Sequence, residues 1–256
     1  MPESSFPFSR QSARSEIERA AVEQFEARPR DTGIRRTGKP ARETHVAEPT
    51  REWIVVIPVK GTGEAKSRLG DHHPDRAALA QALALDTVAA ALAAASVVLV
   101  LVVTTAEAAP AFDDLGAFVV IEDESSGLAA AIANGLDVAT DLGAPGRGVA
   151  VLLGDLPALQ PDELAAALAA AAANDLSMVP DADGTGTALV AAADGAVHAT
   201  AFGTGSRAAH AAAGYVELAV DSGSGLRRDV DTPQQLAELA PRVGRFTAAV
   251  LGTEVD

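Results

Sequence analysis

Arg228-Asp229-Val230-Asp231-Thr232-Pro233 sets two carboxylates two residues apart on a segment that Pro233 stops. In an extended backbone alternate side chains share a face, so Asp229 and Asp231 can converge on one cation. Upstream, Val149-Ala150-Val151-Leu152-Leu153-Gly154-Asp155-Leu156-Pro157 reads as a buried strand. It delivers a third carboxylate, Asp155, at its C-terminal end, where open parallel sheets bind ligands. Three acids meeting there suit magnesium, a hard cation that takes oxygen ligands. The six residues alone are equally compatible with capping, Asp229 closing a turn and Asp231 N-capping a helix that begins at Pro233.

Three further segments could meet an anion. Pro58-Val59-Lys60-Gly61-Thr62-Gly63-Glu64-Ala65-Lys66-Ser67-Arg68-Leu69 has glycines that let backbone N–H groups approach a phosphate chain, with Lys66 and Arg68 to neutralise it. It nearly spells the phosphate loop of P-loop NTPases, but Lys60 and Ala65 stand where that motif needs glycine, and an ordinary solvated loop is equally compatible. Asp183-Gly184-Thr185-Gly186-Thr187-Ala188 is a turn entering a strand, and turns use the same residues for backbone reasons. Phe202-Gly203-Thr204-Gly205-Ser206-Arg207 precedes a short helix whose start could hold an anion with Ser206 and Arg207 assisting, simple capping being the alternative. No Gly-x-Ser-x-Gly follows a strand, which excludes the usual serine-hydrolase turn. Adjacent His72 and His73 lack an acidic partner at metal-ligand spacing and read as loop residues.

These segments need a scaffold, and the hydrophobic pattern supplies one from Trp53 onward. It predicts strands at 54–59, 97–103, 117–121 and 149–153, alternating with helices at 75–95, 107–115, 127–139 and 161–173. Such alternation implies right-handed crossovers and a mainly parallel α/β sheet with helices on both faces. Past Leu176 the alternation loosens, with short strands at 177–179, 188–192 and 216–220, a helix at 206–213 and a last helix from Gln234; this half reads as an acceptor lobe. Residues 1–50 mix Arg, Glu, Ser, Pro and Gly without a sustained period and read as a disordered tail, leaving 51–256 as a single domain.

Composition narrows the class. The net charge is −15, and a polyanion such as nucleic acid would be repelled. The first 52 residues carry ten Lys/Arg against nine Asp/Glu, so the other 204 carry ten against twenty-six. Six of those ten cations, Lys60, Lys66, Arg68, Arg207, Arg227 and Arg228, lie in or beside the motifs, which suggests an anionic ligand in an acidic protein. The absence of cysteine excludes disulfides and thiol chemistry and fits a cytoplasmic protein. The uncharged stretch 87–105 raises the question of a membrane helix, but alanine followed by β-branched residues reads better as a helix and then a buried strand. No membrane partner is expected, and a homodimer is left open.

Taken in order, Pro58-Val59-Lys60 with Ala65-Lys66-Ser67-Arg68-Leu69, Gly154-Asp155-Leu156-Pro157-Ala158-Leu159, Gly184-Thr185-Gly186-Thr187, Phe202-Gly203-Thr204-Gly205-Ser206 and Arg228-Asp229-Val230-Asp231-Thr232-Pro233 resemble one family. It is the phosphoenolpyruvate (or 2-phospho-L-lactate) guanylyltransferases of coenzyme F-420 biosynthesis, matched over residues 53 to about 245. The resemblance implies a Rossmann-like nucleotide-diphospho-sugar-transferase fold and GMP transfer from GTP to phosphoenolpyruvate with Mg2+. It assigns Asp155, Asp229 and Asp231 to the metal, and Thr187, Gly203 and Ser206 to the acceptor phosphate. Lys60, Gly61, Lys66, Arg68 and Gly127 would bind the nucleotide, with Lys66 and Asp155 catalytic. Ala129 departs from the polar residue expected near the base, and the tail has no counterpart. The alanine-rich, lysine-poor composition resembles that of a high-GC actinobacterium, where phosphoenolpyruvate is the acceptor expected of this family. Rival readings are transfer to 2-phospho-L-lactate, 3-phosphoglycerate or a molybdenum-cofactor acceptor, and a catalytically silent nucleotide-binding protein on the same fold.

Overall fold

Trp53–Pro58 (β1) is buried along its whole length, as a strand covered on both faces must be. A computed structural model describes residues 51–59, 76–122, 127–142, 146–194 and 196–253, and shows what covers it. Trp53, Val55 and Ile57 face Ala84, Val88 and Ala91 of helix α1 (Arg76–Ala93) and join one core with Leu164 and Leu168 of α4 (Pro161–Ala171). Ile54 and Val56 point the other way, into a second core with Ala131 and Ile132 of α3 (Gly127–Leu142). The period of two along β1 therefore sorts its side chains into two cores.

The sheet has seven strands in the order β3-β2-β1-β4-β6-β5-β7. These are β2 (Val97–Thr104), β3 (Phe118–Ile121), β4 (Gly148–Leu152), β5 (Leu176–Pro180), β6 (Thr187–Ala192) and β7 (Val216–Glu217). β1 runs parallel to β2 and β4, β2 to β3, and β5 to β7. Only β6 is reversed, pairing antiparallel with β4 and β5. The mainly parallel α/β architecture is the one expected. The stretch 87–105 divides between α1 and β2; α1 is long and apolar enough to cross a membrane, but half of that window is buried in the protein.

Several boundaries move for local reasons. The helix expected at 107–115 contracts to α2 (Ala109–Asp113), whose start is set by Pro110 in the first turn. The strand expected at 216–220 keeps only two residues. Beyond α5 (Ser206–Ala212) and α6 (Pro233–Leu239) lies a further helix, α7 (Arg245–Leu251), that the sequence reading missed. Its cap comes from far away in sequence: the buried Asp86 carboxylate on α1 accepts the N–H groups of Phe246 (3.0 Å) and Thr247 (2.8 Å). Gly244 permits this contact, since a Cβ there would overlap Asp86. Residues 1–50 and 60–75, with Lys60, Gly61, Lys66 and Arg68, lie outside the described residues.

Candidate functional site

Strand order reverses between β1 and β4, the place where open α/β sheets bind ligands. Asp155 leaves β4 at this point. The next residue, Leu156, is fully buried, and its N–H donates to Thr87 Oγ1 on α1 (3.0 Å), which anchors the loop to the core. The Asp155 carbonyl in turn accepts the Val230 N–H (3.1 Å). Val230 is wholly buried against Leu79, Leu83, Leu236 and Leu239. Burial of such a side chain contributes about 1.5–3 kcal/mol, enough to fix which way the segment faces. With Val230 inward, Asp229 and Asp231 turn out toward Asp155, and one ligand atom from each carboxylate lies within 4.8 Å of the others. All three are half-buried. This oxygen set suits a hard divalent cation.

The capping alternative resolves one residue further on. Thr232, not Asp231, is the N-cap of α6: its hydroxyl accepts the Gln235 N–H (3.2 Å), and Gln235 Oε1 accepts the N–H groups of Asp231 and Thr232 (2.9 Å each). Capping and convergence are thus divided between neighbouring residues.

A cleft of about 280 Å³ takes in the three aspartates together with Thr187, Gly203 and Ser206. Thr187 opens β6 and Ser206 opens α5, and both are buried. Gly203 has φ 124, a conformation that favours glycine. The Ser206 hydroxyl donates to Thr187 Oγ1 (3.3 Å), which also lies 3.0 Å from His210 Nδ1. His210 Nε2 accepts the Ala201 N–H (2.8 Å). Behind it, His198 bridges Tyr215 Oη (3.0 Å) and the Val149 carbonyl (2.9 Å), while Tyr215 Oη accepts the Ala199 N–H (3.0 Å). His210 packs edge-on against both Phe202 and Tyr215, each at 5.1 Å between ring centroids. Burial lowers the pKa of both histidines below the ordinary 6.5 and raises that of Tyr215 above 10. The cluster is therefore neutral near pH 7.

His198, His210 and Tyr215 were not anticipated. A signal existed for one: His210 follows Ser206 by four residues and so shares its helix face. Asp181 was also missed. It lines the cleft, and its carboxylate accepts the N–H groups of Thr185 (3.0 Å) and Gly186 (2.7 Å), so those amides of the Gly184–Thr187 turn serve the turn itself.

The motif arginines among the described residues are likewise engaged by protein. Arg207 pairs with Glu217 (2.9 Å) and donates to the Gly184 carbonyl, away from the helix start it was expected to assist. Arg227 donates to the carbonyls of Pro180, Asp181 and Val220, and Arg228 lies 4.0 Å from Glu238. Gly127 begins α3 with φ 74, and the next residue, Leu128, lines the cleft.

Comparison with known proteins supplies the family. Residues 63–221 match the family described as MobA-like NTP transferase domain. A phosphoenolpyruvate guanylyltransferase from Thermomonospora curvata is 49% identical over 81% of this chain and 91% of its own length. One from Streptomyces coelicolor is 48% identical over 78% of this chain and 95% of its own. Among solved structures, a nucleotide-diphospho-sugar transferase from Desulfovibrio desulfuricans, described in its source as putative, superposes with a TM-score of 0.60 at 18% identity, covering 79% of this chain and 94% of that one. That likeness supports the fold alone. With close to half of its residues shared across nearly the whole length of these relatives, the chain belongs to the phosphoenolpyruvate guanylyltransferase family of nucleotidyltransferases.

Proposed function

We propose that this chain transfers GMP from GTP to phosphoenolpyruvate, giving enolpyruvoyl-2-diphospho-5'-guanosine and pyrophosphate, a step of coenzyme F-420 assembly in the cytoplasm. The observation that carries the reading is one cleft holding Asp155, Asp229 and Asp231 together with Thr187, Gly203 and Ser206. A phosphoenolpyruvate phosphate oxygen is already anionic near neutral pH, so it needs no general base to attack. It forms a bond to the α-phosphorus of GTP as the bond from that phosphorus to the bridging oxygen breaks, and pyrophosphate carries away the electron pair. Catalysis then reduces to alignment and charge neutralisation, which fits a cleft with carboxylates and hydroxyls and a neutral imidazole cluster behind them.

Asp155, Asp229 and Asp231 would hold Mg2+, which when bound supplies positive charge against the phosphate oxygens. Thr187, Ser206 and the Gly203 segment contact the acceptor phosphate. Lys60, Gly61, Lys66, Arg68 and Gly127 are assigned to the nucleotide, with Lys66 neutralising the departing pyrophosphate. Residues 1–50 are read as a tail outside the catalytic domain, so a chain lacking them retains turnover.

The test is pyrophosphate release from GTP, measured separately with phosphoenolpyruvate, 2-phospho-L-lactate and 3-phosphoglycerate. Turnover with phosphoenolpyruvate is expected. Turnover with phospholactate alone would overturn the acceptor, and none with any acceptor would overturn the reaction.

A further inference from the structure

We infer that His210 is a positioning residue that makes the Thr187 hydroxyl an obligate hydrogen-bond donor toward an anionic oxygen of the acceptor. The inference rests on the acceptor reading above and adds a residue that does not itself line the cleft.

The hydrogen bonds determine each proton in turn. Ala201 N–H can only donate, so His210 Nε2 must accept, at 2.8 Å. In a neutral ring one nitrogen accepts and the other carries the proton, which places that proton on Nδ1. His210 is fully buried, and burial disfavours its charged form, so neutrality is the state the site favours. Nδ1–H therefore donates to Thr187 Oγ1 at 3.0 Å. The same oxygen accepts from the Ser206 hydroxyl at 3.3 Å. A threonine oxygen has two lone pairs, and both are now used. Only its own proton remains to be directed, and Thr187 lines the cleft shared with the three aspartates.

A hydroxyl locked this way suits an oxygen that only accepts, such as that of a phosphate or carboxylate. It disfavours a ligand group that must donate at that point. A freely rotating hydroxyl would serve either and would have to be ordered on binding, whereas this one is ordered beforehand. His198 is an internal contrast. Its Nε2 faces the Val149 carbonyl, an acceptor, so its proton sits on Nε2 and Nδ1 accepts from Tyr215. The two histidines thus carry opposite tautomers.

Two measurements test the assignment. Side-chain 15N NMR of the full chain, with signals assigned by His198 and His210 substitutions, should find the proton on Nδ1 of His210 and on Nε2 of His198. A proton on Nε2 of His210 overturns the inference whether or not the chain turns over. The second measurement compares two substitutions. Asparagine can place an amide N–H near the position of Nδ1, while glutamine can place its amide oxygen near Nε2 and offers Thr187 no donor. His210→Gln should raise the KM for phosphoenolpyruvate roughly tenfold, with the KM for GTP changed by less than about twofold. His210→Asn should recover most of that loss. Equal shifts in the two variants, or equal shifts in both KM values, overturn the positioning role. If either variant fails to fold, the tautomer reading on the unsubstituted chain decides alone, a proton on Nδ1 of His210 supporting the role and one on Nε2 overturning it. An unsubstituted chain that releases no pyrophosphate with phosphoenolpyruvate overturns the function reading, which is distinguishable because the tautomers are read without substrate.

Discussion

On one side of the cleft, three carboxylates are held in place through the backbone; on the other, two hydroxyls are held by a chain of side chains. Asp155 and the Asp229–Asp231 segment are tied by Val230 N–H to the Asp155 carbonyl and by Val230 buried beneath. Their side chains stay half-buried. Thr187, Ser206 and His210 are neutral and buried, and their geometry comes from one another. Charge can be placed from a distance by the main chain, whereas a donor direction requires a bonded neighbour at each atom.

The largest break in this comparison is expected at the carboxylates. Asp155→Asn or Asp231→Asn should lower metal-dependent turnover by at least about 100-fold while leaving the melting temperature near that of the parent, because their placement is set by the backbone. Normal turnover in either variant would remove the metal assignment. Next comes Thr187→Val, expected to raise the acceptor KM by about 10- to 30-fold and to leave the KM for GTP nearly unmoved, the loss of one hydrogen bond to a charged group. A matching rise for GTP would mean that the two walls are not separate. Smaller still is Asp86→Ala, which removes the α7 cap and no group that lines the cleft. It should cost about 1 kcal/mol, roughly 2–4 °C of melting temperature, with both KM values unchanged.

The smallest effect is on pH. Folding holds the pKa of His198 and His210 below 6.5, so the unfolded chain binds protons more readily. Stability is then fully present above pH 6.5 and is lost as pH falls through 6.5 toward the folded values. Thermal melts between pH 8 and 5 should decline on the acid side, and a flat profile would mean that the cluster is not buried as described.

The carboxylate wall was legible because it is written locally: Asp229-Val230-Asp231 alternates, and Asp155 ends a recognisable strand. The β1–β4 half of the sheet was legible for the same reason, since each buried strand announces itself. The imidazole cluster was not, because His198 precedes α5, His210 lies on it and Tyr215 follows it, with no regular spacing that links the three. Helix α7 escaped for a similar reason, as its capping carboxylate lies on α1. Charge was legible only as a sum over six cations: Arg207 and Arg227 bond to protein groups, while Lys60, Lys66 and Arg68 lie outside the described residues.

The reversal of β6 has a use beyond completing the sheet. Leu153 N–H donates to the Ala188 carbonyl (3.0 Å), which carries the β4–β6 ladder on to the start of β6, beside the exit of β4. The turn before β6 and the 198–206 stretch are joined to the rest through the Ala182 N–H to the Arg227 carbonyl (2.7 Å) and through His198 Nε2 to the Val149 carbonyl (2.9 Å). Such an arrangement makes the hydroxyl wall a cassette with defined joints, which any replacement has to keep. Grafting residues 181–187 and 198–210 from a relative with a different acceptor is the economical way to redesign specificity on this scaffold.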